Sequence, residues 1–227
     1  MAQQIATPTR RHPVFARFYA KVAGPALDKA GITEHRTRLL SGLSGLAGEV
    51  VEIGAGNGLN FAHYPAEVKR VLAVEPEPRL RALAEESART TSVQMDVIDG
   101  IAEQLPVPNG SFDAAVVCLT LCSVADPHAA LAELHRLLRP GGQLRFFEHV
   151  RADSPAMRRV QRVVDATVWP LLMGGCHTGR DTQAAITAAG FTLTSLEKFA
   201  SPETRAPSPA ATHILGTAER PRPGGTS

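Results

Sequence analysis

The stretch Val50-Val51-Glu52-Ile53-Gly54-Ala55-Gly56-Asn57-Gly58-Leu59-Asn60 constrains this chain more than any other. A short apolar run enters a glycine-rich turn and a helical pattern follows, so the segment reads as strand, loop and helix. The turn needs glycine because the backbone must bend sharply and approach a ligand with no Cβ in between. Amides at the start of the next helix, which runs through Phe61 towards Pro65, then face that ligand. The spacing narrows the choice of ligand. A dinucleotide fingerprint is G-x-G-x-x-G, whereas this loop is G-x-G-x-G and carries Leu59 where the last glycine would fall. Glu52 at the strand end would repel a pyrophosphate, yet its carboxylate accepts hydrogen bonds from an ammonium group. The loop suits a nucleoside with a cationic amino-acid tail better than NAD.

At 227 residues and 44% hydrophobic, the chain supports one large domain with a sizeable core. A formal net charge of +2 excludes a dedicated polyanion binder. With two tyrosines and one tryptophan there is no aromatic–basic array for stacking bases, so no nucleic-acid partner is expected. Three cysteines form no disulfide framework, which points to the cytoplasm. The first eleven residues are polar and lack a signal-peptide core, and no apolar run reaches the length of about 18 that a membrane span needs. The abundance of Ala, Arg, Gly and Pro suits a GC-rich bacterial genome. Cys118 and Cys122 lie four apart and Cys176 adjoins His177, but no second close pair completes a tetrahedral set, so no metal is expected.

Along the chain, a helical cap is expected over residues 1–46, disordered at its start, with Val14, Phe15, Phe18, Tyr19 and Val22 on one face. Gly24-Pro25 interrupts it before a second helical stretch over 34–43. Two readings stand for its aromatics, closure over a ligand cleft or packing on a sheet. A second strand, 70–75, ends in Glu75-Pro76, 21 positions beyond Gly54, where an acid chelates ribose hydroxyls. Further strands are expected at 92–97, 114–119, 143–150, 191–199 and 213–218, alternating with helices at 80–89, 126–138, 151–169 and 181–189. Residues 219–227 read as a frayed tail. The alternation describes a doubly wound α/β domain with its ligand cleft at the strand C-termini. Arg151, Arg158, Arg159 and Arg162 on one helix read either as a solvated face or as contacts to anionic lipid, which would make the protein peripheral to a membrane.

The sequence E-x-G-x-G-x-G at 52–58, the segment from Asp99 to Pro106, N-G-S-F-D at 109–113 and L-R-P-G-G at 138–142 occur in that order. Together they resemble the class I S-adenosylmethionine-dependent methyltransferases, including the ubiquinone/menaquinone type. The resemblance implies a Rossmann-like, seven-stranded, mostly parallel sheet with an antiparallel last strand and helices on both faces, over residues 47–218. It implies S-adenosylmethionine as cofactor and S-adenosylhomocysteine as product. Glu52, Gly54, Ala55, Gly56, Gly58 and Asn60 would hold the methionine part, Glu75 and Pro76 the ribose. Gly100, Ile101, Ala102 and Glu103 would line the adenine, and Leu119, Leu121 and Cys122 would close over the methionine tail. Ile101 stands where the family carries an acid, so the adenine contact falls to the Ala102 amide, or to Asp99 or Glu103. N-G-L-N-F-x-x-Y-P at 57–65, L-C-S-V at 121–124, F-x-E-H-V at 146–150 and G-C-x-x-x-R at 175–180 look like a narrower subgroup. It includes animal methyltransferase-like enzymes acting on alkyl thiols, which carry an apolar N-terminal anchor that the polar first residues here do not lead us to expect. The implied acceptor is a small molecule, with a thiol foremost.

Methyl transfer from a sulfonium is an in-line displacement, so the protein chiefly supplies proximity and alignment. A thiol acceptor needs a route to its thiolate, whereas oxygen and nitrogen acceptors more often need a general base. His149 and His177 are the catalytic candidates, and Tyr19, Glu148 and Arg180 are the candidates for binding the acceptor. His149 reads equally as a buried imidazole bonded to backbone, and Arg180 as a structural ion-pair partner. Two other readings remain open: a lipid- or quinone-type carbon or nitrogen methyltransferase, and a cofactor-binding protein without catalysis. The oligomeric state is open.

Overall fold

The computed structural model describes residues 13–24, 31–200 and 208–224. The start of the expected cap, Pro25 and the last three residues of the expected tail lie outside them. Seven strands form one sheet: β1 Glu49–Ile53, β2 Arg70–Val74, β3 Gln94–Ile98, β4 Phe112–Cys118, β5 Leu138–His149, β6 Thr192–Ala200 and β7 Thr212–Glu219. Their order is β3-β2-β1-β4-β5-β7-β6. β1 to β5 pair in parallel, and β7 runs antiparallel to both β5 and β6. The expected Rossmann-like sheet with its antiparallel last strand is therefore present. Strand order reverses between β1 and β4, so the cleft of such a sheet lies beyond the C-terminal ends of those two strands.

β1, β2 and β4 are buried on both faces along most of their length, which explains their near-continuous apolar runs. Alternate residues divide between two cores. Val51, Ile53, Val74, Val117 and Phe146 pack with Leu131 and Leu134 on one face. Val50, Val71, Val116 and Phe147 pack with Leu39, Leu40 and Phe61 on the other. The helices are α1 Pro13–Phe18, continuing as a π turn over Tyr19–Ala23, α2 Thr33–Ser41, α3 Pro78–Ala88, α4 Pro127–Leu137, α5 Pro155–Asp165, α6 Trp169–Leu172 and α7 Thr182–Ala188. α4, α5 and α7 begin at Asp126, Ser154 and Asp181, whose side chains accept from backbone amides of the first turn. Among the described residues, no helix is long and apolar enough to cross a membrane.

Four expectations need correction. The helix expected after the glycine loop is a single 3-10 turn, Phe61–His63. Asn60 and Tyr64 on either side of it turn inward to a buried carboxylate, and Pro65 then prevents continuation. Of the two readings for the N-terminal apolar residues, packing on the sheet does not hold for the group, because Val14, Phe18 and Val22 are 80%, 45% and 53% exposed. The helix expected over 151–169 is divided into α5 and α6, because Pro155 sets the first start and Pro170 the second. Beyond β7, the Arg220 amide donates to the Gly142 carbonyl and its guanidinium to the His135 carbonyl, so this part of the expected tail is docked.

Candidate active site

The loop leaving β1 places Gly54, Gly56 and Gly58 at φ of +70°, +59° and +80°, a region that side chains disfavour. The three serve different ends. A Cβ on Gly54 would lie 2.5 Å from the Thr120 side chain, and one on Gly58 would lie 2.8 Å from Ser87 Cβ. A Cβ on Gly56 would find nothing nearer than Tyr19 Cε1 at 3.7 Å. Gly54 and Gly58 thus admit protein neighbours, whereas Gly56 borders open space beneath Tyr19. The amides of Gly54 and Ala55 both donate to the Val74 carbonyl. Glu75, buried at the end of β2, accepts from the Gly56 amide at 2.8 Å and the Glu77 amide at 2.9 Å. Burial pushes its carboxyl up to about 7, with the two amides pulling the other way. Arg81 donates to the carbonyls of Glu75 and Pro76 and to Asp99, tying the loops after β2 and β3 together.

Glu52 sits one turn of the pleat below this loop, on the face towards α2. Its oxygens accept from Asn60 Nδ2 at 2.8 Å and the Tyr64 hydroxyl at 2.7 Å. Arg36 of α2 donates to Asn60 Oδ1 at 2.7 Å and to Cys118 Sγ at 3.4 Å. Burial pushes Glu52 up to about 7, against the two hydrogen bonds and the Arg36 charge. Burial also pushes the Cys118 thiol up to about 11. Glu52 and Asn60 therefore belong to a buried polar network that supports the loop from beneath. The motifs showed Glu52, Asn60 and Tyr64 but not Arg36, whose role depends on where α2 packs.

In the segment after β3, a Cβ on Gly100 would lie 2.9 Å from Leu105 and 3.0 Å from Val74, so this backbone is pressed against the end of β2. Ile101 bridges to Gln104, and Ala102 is buried beside them. Glu103 accepts from the Asp126 amide at 3.1 Å, which joins this segment to the start of α4.

The turn after β4 is the most constrained part of the site. Leu119 has φ of +55°, the one positive value among the described non-glycine residues, and such a backbone costs about 1–2 kcal/mol. Its amide donates to the Phe147 carbonyl at 2.7 Å. The next three amides, of Thr120, Leu121 and Cys122, all donate to the fully buried Glu148 carboxylate, at 2.8, 2.9 and 3.3 Å. Burial and the neighbouring Cys122 push Glu148 up to about 8, while the amides oppose this. Glu148, expected at the acceptor, is instead engaged by the backbone of the turn. Thr120 Oγ1 donates to the Ile53 carbonyl, which links the turn to the glycine loop.

A second loop, 173–181, docks on this turn. The His177 amide donates to the Cys122 carbonyl at 2.8 Å, and its Nδ1 lies 2.8 Å from the Gly175 carbonyl. Arg180 donates to the carbonyls of Leu121 and Val124, so its guanidinium clamps the turn. Two residues without any motif hold this loop from α5. Asp165 accepts from the amides of Thr178 and Gly179. Buried Gln161 accepts from the Ala152 amide and donates to the carbonyls of Val150, Thr178 and Pro209. Phe15 packs on Gly174, and its ring lies 5.5 Å from that of Tyr19. The N-terminal segment therefore reaches from the glycine loop to the second loop.

Turn, strand and loop bring together Cys122, His149 and Cys176, all buried, with one donor atom from each within 4.8 Å of the others. Cys176 Sγ lies 3.1 Å from His149 Nε2 and accepts from Trp169 Nε1 at 3.1 Å. His149 Nδ1 is buried without a partner among the described residues. The Cys122 thiol is held well below its ordinary range by a hydrogen bond from Cys176 and by the charge of His149. The same contact raises Cys176, and Cys122 pushes His149 up to about 9 against the effect of burial. The expectation of no metal-ligating set looked only at neighbours along the chain. These three residues come from segments that no spacing rule connects.

Residues 51–146 match a family model described as a methyltransferase domain. The human thiol S-methyltransferase TMT1A is 32% identical over 175 residues, covering 74% of this chain and 71% of that protein. The mouse thiol S-methyltransferase TMT1B is 37% identical over 181 residues, covering 78% and 73%. A solved S-adenosylmethionine-dependent methyltransferase from Methanosarcina mazei superposes with a TM-score of 0.60 at 21% identity, covering 77% of this chain and 93% of that one. By these likenesses the chain belongs to the class I S-adenosylmethionine-dependent methyltransferases.

Proposed function

We propose that this methyltransferase alkylates the sulfur of a small, apolar thiol. The observation that carries the reading is the make-up of the site beyond the methyl donor. Among the described residues it presents Cys122, Cys176 and His149, while the nearby carboxylate of Glu148 is held by backbone amides. A thiolate acceptor is reactive without a carboxylate base, which this arrangement matches. The names of the TMT1A and TMT1B relatives support the same class of acceptor.

In this reading Gly54, Ala55, Gly56 and Gly58 shape the methionine side, with Glu52 and Asn60 holding the loop from below. Glu75 takes the ribose hydroxyls, beside Pro76. Gly100, Ile101, Ala102 and Glu103 border the adenine, and Leu119, Leu121 and Cys122 close the tail. His149 faces the acceptor, while His177 and Arg180 fix the loop around it. Tyr19 and Phe15 roof the cleft. Exposed Val14, Phe18, Val22, Val168, Leu171 and Leu172 lie on the two segments that Phe15 and Gly174 join. This apolar surface, with Arg158, Arg159 and Arg162 on α5, suits peripheral contact with an anionic membrane from which an apolar thiol partitions. Three free, buried cysteines suit a reducing compartment such as the cytoplasm. The test is release of S-adenosylhomocysteine from S-adenosylmethionine on addition of an alkyl thiol. Turnover with a quinol or phenol, and none with thiols, would overturn the reading.

A further inference from the structure

We propose that Cys122, His149 and Cys176 bind a zinc ion whose fourth ligand is the thiolate of the methyl acceptor. The inference rests on the thiol reading above and adds the group that would hold and activate the thiol. Two thiolates and one imidazole form a donor set that zinc takes in catalytic sites, where the fourth position stays open to water or substrate. Their donor atoms already lie within 4.8 Å of one another, with Cys176 Sγ and His149 Nε2 at 3.1 Å. Tetrahedral zinc, with bonds of about 2.0–2.3 Å, needs donor separations of about 3.3–3.8 Å, which small side-chain rotations supply. Among the described residues the cluster stops at three donors.

The surroundings fit the role. Each ligand sits on a segment fixed from outside the cluster: Cys122 on the turn held by Glu148, His149 at the last residue of β5, and Cys176 on the loop docked through the His177 amide and held by Asp165. Trp169 Nε1 donates to Cys176 Sγ, the kind of outer hydrogen bond that steadies a metal-bound thiolate. His149 Nδ1 has no partner among the described residues, and ligation through Nε2 would fix the ring tautomer. The turn that carries Cys122 also touches the first cofactor glycine, since Thr120 packs against Gly54. The ion would therefore stand beside the methyl donor.

The chemistry balances. The acceptor thiol gives up its proton to solvent as its sulfur binds zinc. A sulfur lone pair then forms the new S–CH3 bond. The methyl–sulfonium bond breaks with its pair going to the cofactor sulfur, giving S-adenosylhomocysteine and a neutral thioether that leaves the metal.

The experiment uses the full chain, stripped with a chelator and reloaded with zinc or cobalt. Elemental analysis should find about one zinc per chain in the native protein, the stoichiometry of one tetrahedral site, and far less in Cys122→Ser, Cys176→Ser and His149→Ala. Circular dichroism and S-adenosylhomocysteine binding report whether each variant still folds. The cobalt form should show tetrahedral d–d bands and a thiolate charge-transfer band. Adding an alkyl thiol with S-adenosylhomocysteine should raise the latter by about half, as two thiolates become three. Thiol methylation should fall at least about tenfold on stripping and return with zinc. No stoichiometric metal, a cobalt spectrum indifferent to thiol, or undiminished turnover by stripped protein would each overturn the zinc assignment. The last of these would leave the thiol reading standing. Zinc-loaded protein that methylates no thiol overturns both.

Discussion

Gly54, Gly56 and Gly58 look alike in the sequence, yet only Gly56 borders free space. We therefore expect Gly56→Arg to lose about 1–2 kcal/mol of fold stability from its backbone conformation. Affinity for S-adenosylhomocysteine should fall about a hundredfold or more, equivalent to about 3 kcal/mol, because the side chain would fill the cofactor's path. Calorimetric titration alongside a thermal melt separates the two effects. Glu52 and Glu75 were equally legible as acids at strand ends, but their settings differ. Glu52 is enclosed by Asn60, Tyr64 and Arg36, and this enclosure depends on the packing of α2, which no local pattern encodes. Glu75 reaches the loop and is held at about 7. Because that value lies above the unfolded one of 4.5, the carboxyl's contribution to stability is full below 4.5 and is lost as pH rises through about 7. Cofactor affinity should move the other way, strengthening as pH rises through about 7, because in the proposed reading the ionised carboxylate would accept from both ribose hydroxyls. Glu75→Gln should bind weakly with a flat profile over this range. An unchanged slope in that variant would place the titration elsewhere.

At the scale of elements, the strands and α4 were readable because periodicity, capping and turn residues agree there, as at Asp126-Pro127. The segment after the glycine loop was misread because Asn60 and Tyr64 serve a buried carboxylate rather than a helix. The motif at 121–124 marked the turn but not its shape, which comes from Glu148, 26 or more residues away in sequence. Glu148→Gln puts an amide group where one of the three backbone donors needs an acceptor. We expect a loss of about 1–3 kcal/mol, with Tm lower by about 2–4 °C for each kcal/mol in a chain of this size. Weaker S-adenosylhomocysteine binding should accompany it, because the turn would no longer hold its strained shape. A melt and a binding isotherm unchanged from wild type would show that the carboxylate does not hold the turn.

For the whole molecule, the doubly wound sheet and the position of its cleft followed from the order of strands and motifs. What did not follow was the meeting of Cys122, His149 and Cys176, which depends on α5 and its Asp165 and Gln161 holding the 173–181 loop over the sheet edge. The exposed apolar surface was equally hidden, because the helical spacing of Val14, Phe18 and Val22 places them on one face without showing that nothing covers it. That surface makes a prediction of its own. Sedimentation with vesicles containing anionic lipid should retain the wild-type chain and release a Leu171→Asp, Leu172→Asp variant, with thiol methylation in detergent-free buffer unchanged for a water-soluble acceptor. Equal retention of both proteins would remove the membrane role from this surface.

The central claim is that the cleft between β1 and β4 transfers the methyl group of S-adenosylmethionine to a thiol. The most direct measurement is the rate of S-adenosylhomocysteine release with and without a small alkyl thiol, with Gly56→Arg as the blank. Release that depends on the thiol, yields one thioether for each S-adenosylhomocysteine and vanishes in the variant is the predicted result. Cofactor binding without thiol-dependent release would contradict the account.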